Sequence, residues 1–280
     1  DYRSMTLKLE MPYRKGVWGS LAWTKSNATD FMSGGSIASG SWTGARSVYG
    51  NNNLPLSNSD FNIPNRIVGL FGYKLEYGGE YGGSTSFSVG SIGSQAGAYS
   101  YTISGDMNGD RIANNELIYV PKRIDETRFA ALTVGTITYN EPQQQAAFWN
   151  YINQDKYLKT RKGQYAERNG SVLPMLHRFD LSIVQDIFVN VKGKRNTLQI
   201  RADILNFGNM LNDNWGVSQR ATNPQVLAFQ SVVNNQPTYR LATEKFADGT
   251  TGLIKNTYSK NASVFDVWTA QLGIRYIFGK

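Results

Sequence analysis

Cysteine is absent from the 280 residues, which excludes disulfides, thiolate nucleophiles and cysteine metal sites. A single histidine, His177, rules out any site built on two imidazoles. No run of about 18 apolar residues occurs, so nothing reads as a membrane-spanning helix. Mean hydropathy is -0.40 and the hydrophobic share is 40%, as in a water-facing protein. A transmembrane β-barrel passes unseen through such a scan, because every second residue of its strands faces the lumen. The net charge of +8 comes from 29 Lys and Arg against 21 Asp and Glu. These basic residues are scattered rather than gathered on one stripe, which argues against a nucleic-acid partner.

What the chain does have is period-two alternation with many glycines (28) and aromatics (12%). Val267–Phe278 sets Trp268, Ala270, Leu272, Ile274, Tyr276 and Phe278 against Thr269, Gln271, Gly273 and Arg275. Ser4–Met11 sets Met5, Leu7, Leu9 and Met11 against Ser4, Thr6, Lys8 and Glu10. Val17–Lys25, Arg66–Tyr77, Ser84–Ser91, Arg178–Val189 and Thr197–Phe207 alternate in the same way. Segments of this length match the roughly 9–11 residues a tilted strand needs to cross a bilayer.

Short connections (Tyr13–Gly16, Gly78–Gly83, Val191–Asn196) take turns with long ones (about 27–60, 99–176 and 209–263). Barrels of the outer membrane place short turns in the periplasm and long loops outside. The expected fold is therefore all-β: about seven strands of an antiparallel transmembrane barrel wall, with long extracellular loops. Single-chain bacterial barrels have even strand numbers, so an odd count implies part of a wall. With no targeting segment ahead of a strand-like Asp1–Tyr2–Arg3, residues 1–280 are expected to be the C-terminal portion of something longer. A soluble β-sandwich also alternates and is the competing fold.

Several ordered segments resemble one family. They are GDMNGDRIANNELIYVP (Gly105–Pro121), QQAAFWNYINQDKYLKTRKGQYAERNG (Gln144–Gly170), HRFDLSIVQD (His177–Asp186), DILNFGNMLN (Asp203–Asn212) and the terminal GIRYIFGK. Together they resemble TonB-dependent receptors of the Bacteroidota Oar-like type, whose N-terminal domain is carboxypeptidase-regulatory-like. The resemblance implies a barrel of about 22 strands with a plugged lumen, of which this chain is the last third. It implies a bacterial outer-membrane location, with lipid around the wall, and import of a ligand that the sequence does not identify. It also implies a TonB complex acting through the missing N-terminal part and room for a surface lipoprotein partner. Plug, TonB box and N-terminal domain have no counterpart here. No enzymatic activity is expected. Two other readings stay open: an adhesive barrel that binds a partner through its loops, and a soluble carbohydrate-binding module using Trp42, Trp149 and Trp215.

Four groups of residues are candidate sites. Asp106, Asn108 and Asp110, with Asn114 and Glu116 downstream, have the alternate spacing of oxygen ligands for Ca²⁺, the one cofactor the sequence points to. Arg111 stands where an EF-hand has glycine and Glu116 comes one residue early, so an Asx-rich hairpin tip is the alternative. Arg178, Asp180, Asp186, Arg201, Asp203 and Arg275 share the polar face, as cross-strand charge pairs or a substrate path. An amphipathic helix over Pro142–Lys159 would place Ala146, Trp149, Ile152 and Tyr157 on one contact face, as a lid or as packing on the rim. Tyr276 and Phe278, ending the last strand, resemble the C-terminal signal for barrel assembly, or are girdle aromatics. His177 has no G-x-S-x-G elbow with it and reads as a rim residue.

Overall fold

A computed structural model describes residues 1–35, 37–78, 81–95, 97–261 and 263–279. The chain is mostly β-sheet, 51% strand and 11% helix. No helix among the described residues is long and apolar enough to cross a membrane. Seven long strands form one antiparallel sheet: β1 (Tyr2–Arg14), β2 (Val17–Asp30), β3 (Asn65–Tyr77), β4 (Tyr81–Ser94), β5 (Leu176–Val191), β6 (Lys194–Leu205) and β7 (Thr269–Ile277). Each pairs with its neighbour in sequence order, and a two-residue strand, Ser57–Asn58, adds to the end of β2. Among the described residues β1 and β7 have no second neighbour, so the sheet is open rather than a closed barrel.

Turn chemistry sets the hairpins. Lys15 (φ 50°) and Gly16 (φ 87°) join β1 to β2, and Lys192 (φ 50°) and Gly193 (φ 75°) join β5 to β6. Two central residues with positive φ match the right-handed twist of the flanking strands, and glycine takes that conformation without strain. Gly79 and Glu80, within the expected Gly78–Gly83 turn, lie outside the described residues, as does Lys280. All three short connections fall at one end of the sheet and all three long ones at the other.

Register carries the alternation across the whole sheet. Met11, Gly19, Phe71, Val89, Leu181, Ile204 and Ala270 form one continuous row over the seven strands. The next row, Val17–Tyr73–Phe87–Ile183–Ala202–Leu272, is equally free of polar side chains. On the opposite face the rows are Trp18–Gly72–Ser88–Ser182–Asp203–Gln271 and Glu76–Ser84–Asp186–Gln199–Arg275. A slip of one residue in any pair would reverse the faces, so the shared pattern fixes the register. The apolar face is not packed against anything: Leu9 is 65% exposed, Leu272 79% and Ile274 77%.

The hydrophobic core lies elsewhere. Tyr101, Ile103, Ile118, Val120, Phe129, Phe148, Tyr151, Ile152, Val226 and Leu241 are among its members, all from the connections 95–175 and 206–268. No residue of the seven strands belongs to it. The sequence reading expected long excursions there, one of them carrying the acidic loop and a single helix, and no shared core. Instead, two of the three long connections fold together into a body with its own interior. The hairpin Leu227–Val233/Gln236–Leu241 is flanked in parallel by Ile103–Ser104 and Arg128–Phe129 to give a four-stranded sheet. The first connection, residues 31–64, contributes only the short helix α1 (Ala38–Thr43) and gives nothing to that core, as its polar composition predicts.

Against this sheet packs helix α2 (Glu141–Gln154). It starts in a capping box: Gln143 N–H donates to the Asn140 side chain (3.1 Å), and Asn140 N–H to that of Gln143 (2.9 Å). The expected span to Lys159 is too long. At Asp155 the backbone is extended, and its carboxylate accepts from the N–H groups of Tyr157 (2.9 Å) and Leu158 (2.7 Å), starting a separate turn at Leu158–Thr160.

The expected contact face is corrected as well. Gln144, Phe148, Tyr151 and Ile152 are buried, while Ala146 is exposed and Trp149 and Tyr157 are half-buried. Only Ile152 is shared, because Gln144 is polar and periodicity counts it outward. Its amide donates to the carbonyls of Ala130 and Tyr139 and accepts from Leu241 N–H, so it is fully satisfied inside.

Most strands run a few residues beyond the expected spans, whereas β6 and β7 are cut short at their loop ends. β6 stops at Leu205 because Asn206 turns left-handed (φ 52°) into a short helix α3 (Phe207–Leu211). β7 begins at Thr269 because Ser263 caps a turn at Val264–Asp266.

Candidate ligand cleft and loop anchors

Two polar knots hold the loop body to the long-loop end of the sheet, and a third ties the loop body together from within. At the first, Arg168, almost fully buried, donates to the carboxylate and main-chain carbonyl of Asp30 at the end of β2. Beside it, Asn169 donates to Asn58 O (2.9 Å) and Asp60 Oδ1 (2.6 Å) and receives Asn58 Nδ2 (3.0 Å). Arg168 is buried and Asp30 half-buried, so removing the carboxylate would strand a charge that has little access to water.

At the second knot, Asp266 accepts from Arg178 (2.8 Å), Ser218 N–H (2.9 Å) and Ser218 Oγ (2.9 Å). Burial pushes its carboxyl up, but the Ser218 donors and the Arg178 guanidinium outweigh that and hold it below the usual range. Asn206 joins the same knot, its N–H donating to Asp180 Oδ1 (2.7 Å) and its amide to Gly216 O and Asp266 O.

The third lies inside the loop body. Tyr101 donates to Asp155 Oδ2 (2.6 Å), with the Tyr151 hydroxyl 3.2 Å from that of Tyr101. Burial pushes the Tyr101 phenol strongly up, and the neighbouring Tyr151, Tyr99 and Asp155 add to it, so it stays a donor.

Between the first connection and the loop body opens a cleft of about 600 Å³. Its lining includes Ser33, Ser41, Arg46, Tyr99, Ser100 and Gln225, over a floor made by the Arg168–Asn169 knot. That volume suits a small polar molecule or the end of a larger one. The Asp60 carboxylate at its edge is already bonded to Asn169. The lining hydroxyls of Ser33, Ser41, Ser100 and Tyr99 already bond within the protein, so a ligand would meet their remaining lone pairs, the Gln225 amide and the outer donors of Arg46.

The residues singled out from sequence fall into different places. On the polar face, the expected cross-strand charge network forms only in part. Arg178 pairs with Asp266 in the loop rather than with Asp180. Arg201 pairs with Asp203 on its own strand (2.7 Å). Asp186 accepts from Ser84 (3.2 Å) and Gln199 (2.9 Å) across strands. Arg275 sits in register with Gln199 and makes no ion pair among the described residues. The reason is spacing: where Ser and Gly separate the strands' charges, nearer loop and same-strand partners win.

In the acidic loop, Asp106 accepts from Gly109 N–H (2.7 Å) and Arg111 N–H (2.9 Å), Asn108 Oδ1 from Asp110 N–H (2.9 Å) and Asp110 Oδ1 from Ile112 N–H (2.7 Å). Asn114 closes the neck on Gly105 and is no part of the ligand cluster. Trp149 carries Lys162 over its ring at 4.1 Å, so it is not a free stacking platform. Tyr157 accepts Glu167 N–H through its hydroxyl. Tyr276 and Phe278 lie edge to face with centroids 4.5 Å apart, and Tyr276 bonds Asn196. The His177 ring lies over Gly93, where an added Cβ would sit 2.8 Å from Nδ1.

The anchors Arg168, Asp266, Asp155 and Tyr101 were not legible as sites. Only their position inside or beside the family-like segments gave a signal, since the partners that anchor them are 48 to 138 residues away in sequence. No family model, no curated protein and no solved structure matches the chain.

Proposed function

We propose that this chain is wall and outer loops of an outer-membrane β-barrel of the TonB-dependent receptor type, serving ligand import rather than catalysis. The observation that carries the reading is the apolar face, in register over seven strands and exposed, while the core sits in the loops. In water a sheet of this extent would bury that face against a second layer; in a bilayer, lipid covers it. The free edges of β1 and β7 then pair with further strands of the same wall, since an open edge has no place in hydrocarbon. Short turns at one end and a structured loop body at the other match a periplasmic rim and an outer mouth.

In this reading the knots fix the loops over the mouth, and the 600 Å³ cleft is a place where cargo is held before it passes the lumen. The polar face of Ser, Gly and paired charges lines the passage. TonB supplies energy through a part of the protein outside these residues, and a surface lipoprotein could cap the loop body.

The test is fractionation of the native protein, with its intact mass and its uptake measured in cells with and without TonB. Recovery in the outer membrane at a mass well above 31.2 kDa, with uptake lost without TonB, supports the proposal. Recovery without detergent in the soluble fraction overturns it. Outer-membrane recovery with ligand held but never imported would favour the adhesive barrel.

A further inference from the structure

We infer that the loop Asp106–Glu116 binds Ca²⁺, with Glu116 as its buried anchor. The argument starts from a charge out of place. Glu116 is only 3% exposed, yet it joins no salt bridge among the described residues. One oxygen, Oε1, accepts from Met107 N–H (3.0 Å) and Asn108 N–H (3.2 Å), which aims the carboxylate into the loop. The other, Oε2, is buried and has no hydrogen-bond partner among the described residues. A buried carboxylate oxygen without a donor or cation is strongly unfavourable, and proteins supply such groups with a partner.

The loop around it offers oxygen and nothing softer. Asp106, Asn108 and Asp110 stand at alternate positions, the arrangement by which side-chain oxygens converge on a hard cation. Asp106 and Asp110 also lack ion pairs among the described residues, so three carboxylates face one cation, Arg111, within the segment.

The departure at Arg111 is resolved by its backbone. Arg111 adopts φ 70°, the left-handed turn for which an EF-hand uses glycine. Its side chain is exposed, and the strain is accepted in a non-glycine residue that the Asp106 carboxylate holds by its N–H. No three carboxylate or imidazole side chains are grouped for a metal among the described residues. The Asn108 amide oxygen and main-chain carbonyls therefore complete the set, a mixture Ca²⁺ accepts and Mg²⁺, with its stricter octahedron, does not. Asp110 is exposed, and its carboxylate, which accepts from Ile112 N–H through Oδ1 and Asn108 Nδ2 through Oδ2, keeps a further lone pair on each oxygen for a cation. The ion would lock the outer tip of the loop body, because Glu116 leads directly into the core segment Leu117–Val120.

The test uses the full protein in detergent with CaCl2 alone, MgCl2 alone or a chelator, reading trypsin cleavage after the exposed Arg111. Ca²⁺ should slow that cleavage by about tenfold or more at ~millimolar concentration, the range of extracellular calcium modules, and Mg²⁺ should not. Cleavage at Lys192, in the far turn, is the internal control. Glu116→Gln should lose the protection. Asp110→Ala, an exposed change that leaves the core intact, should weaken it by about tenfold, or ~1.4 kcal/mol. Equal cleavage in Ca²⁺ and chelator overturns the inference, as does an undiminished response in Asp110→Ala.

Discussion

Phe148→Ala separates the two halves of the molecule. Phe148 is 1% exposed on the buried face of α2 and meets Phe129 edge-on, with ring centroids 6.1 Å apart. Truncating a buried phenylalanine costs about 3–5 kcal/mol through lost transfer and the cavity left behind. The aromatic pair contributes about 0.5–1.5 kcal/mol within that loss. At about 4 kcal/mol, local opening of the loop body rises by roughly a thousandfold, since each ~1.36 kcal/mol is tenfold. The seven strands contribute nothing to this core, so their stability should not follow. Hydrogen exchange on the full protein in detergent reads both at once. Amides of Ile103, Ile118 and Ala166, which donate to the carbonyls of Glu116, Tyr101 and Ile118 within the loop body, should lose protection, and those of β5 and β6 should keep it. Equal loss in loops and strands would refute the division into two separately stabilised parts. Unchanged exchange at Ile118 would refute the placement of the core.

Three further outcomes are expected. Ile183→Arg, in the middle of the apolar face, should cost ~2–4 kcal/mol at the bilayer centre and lower the yield of folded protein in the membrane, whereas Ser182→Arg on the opposite face should not; equal yields would count against a lipid-facing side. Gly72→Val should lower the urea midpoint of the sheet by the equivalent of about 1–3 kcal/mol, because its Cβ would fall 2.0 Å from the Trp18 ring, while Gly273→Val, with nothing within 4 Å, should leave it unchanged. Asp266 has a depressed folded pKa, so its stabilisation is complete above the ordinary carboxylate value of about 3.9 and fades as pH falls through the lower folded value. Protease resistance of residues 206–268 should therefore decline in acid below that point, and Asp266→Asn should be sensitive already at pH 7; identical acid profiles for the two proteins would remove Asp266 from the account.

Much of the sheet was legible in the sequence because the strands obey one local rule. Alternation such as Leu198, Ile200, Ala202 and Ile204 against Gln199, Arg201 and Asp203 depends only on which solvent each face meets. The hairpin turns were legible too, since Lys15–Gly16 and Lys192–Gly193 carry their own geometry.

The loop body was not legible, for a physical reason. Much of its core comes from two-residue strands, too short for periodicity, and from partners such as Ile103 and Leu227 that meet in parallel across long separations. Its polar interior misleads as well: Gln144, Asp155 and Arg168 are buried because each has its partners, not because any pattern marks them. The acidic loop was visible as a spacing of oxygens, while the feature that argues for an ion, the unpartnered Glu116 Oε2, exists only in three dimensions.

The exposed face of the sheet in lipid is the claim on which the rest depends, and the absence of cysteine from these residues makes it directly measurable. Single cysteines at each position from 198 to 204 in β6, carrying a nitroxide label on the full protein in bilayers, report collision with oxygen, enriched in lipid, or with a water-soluble nickel chelate. Labels at 198, 200, 202 and 204 should respond to oxygen and those at 199, 201 and 203 to nickel, with a period of two. Nickel access at every position, or no alternation at all, would contradict the membrane wall and return the chain to the soluble β-proteins.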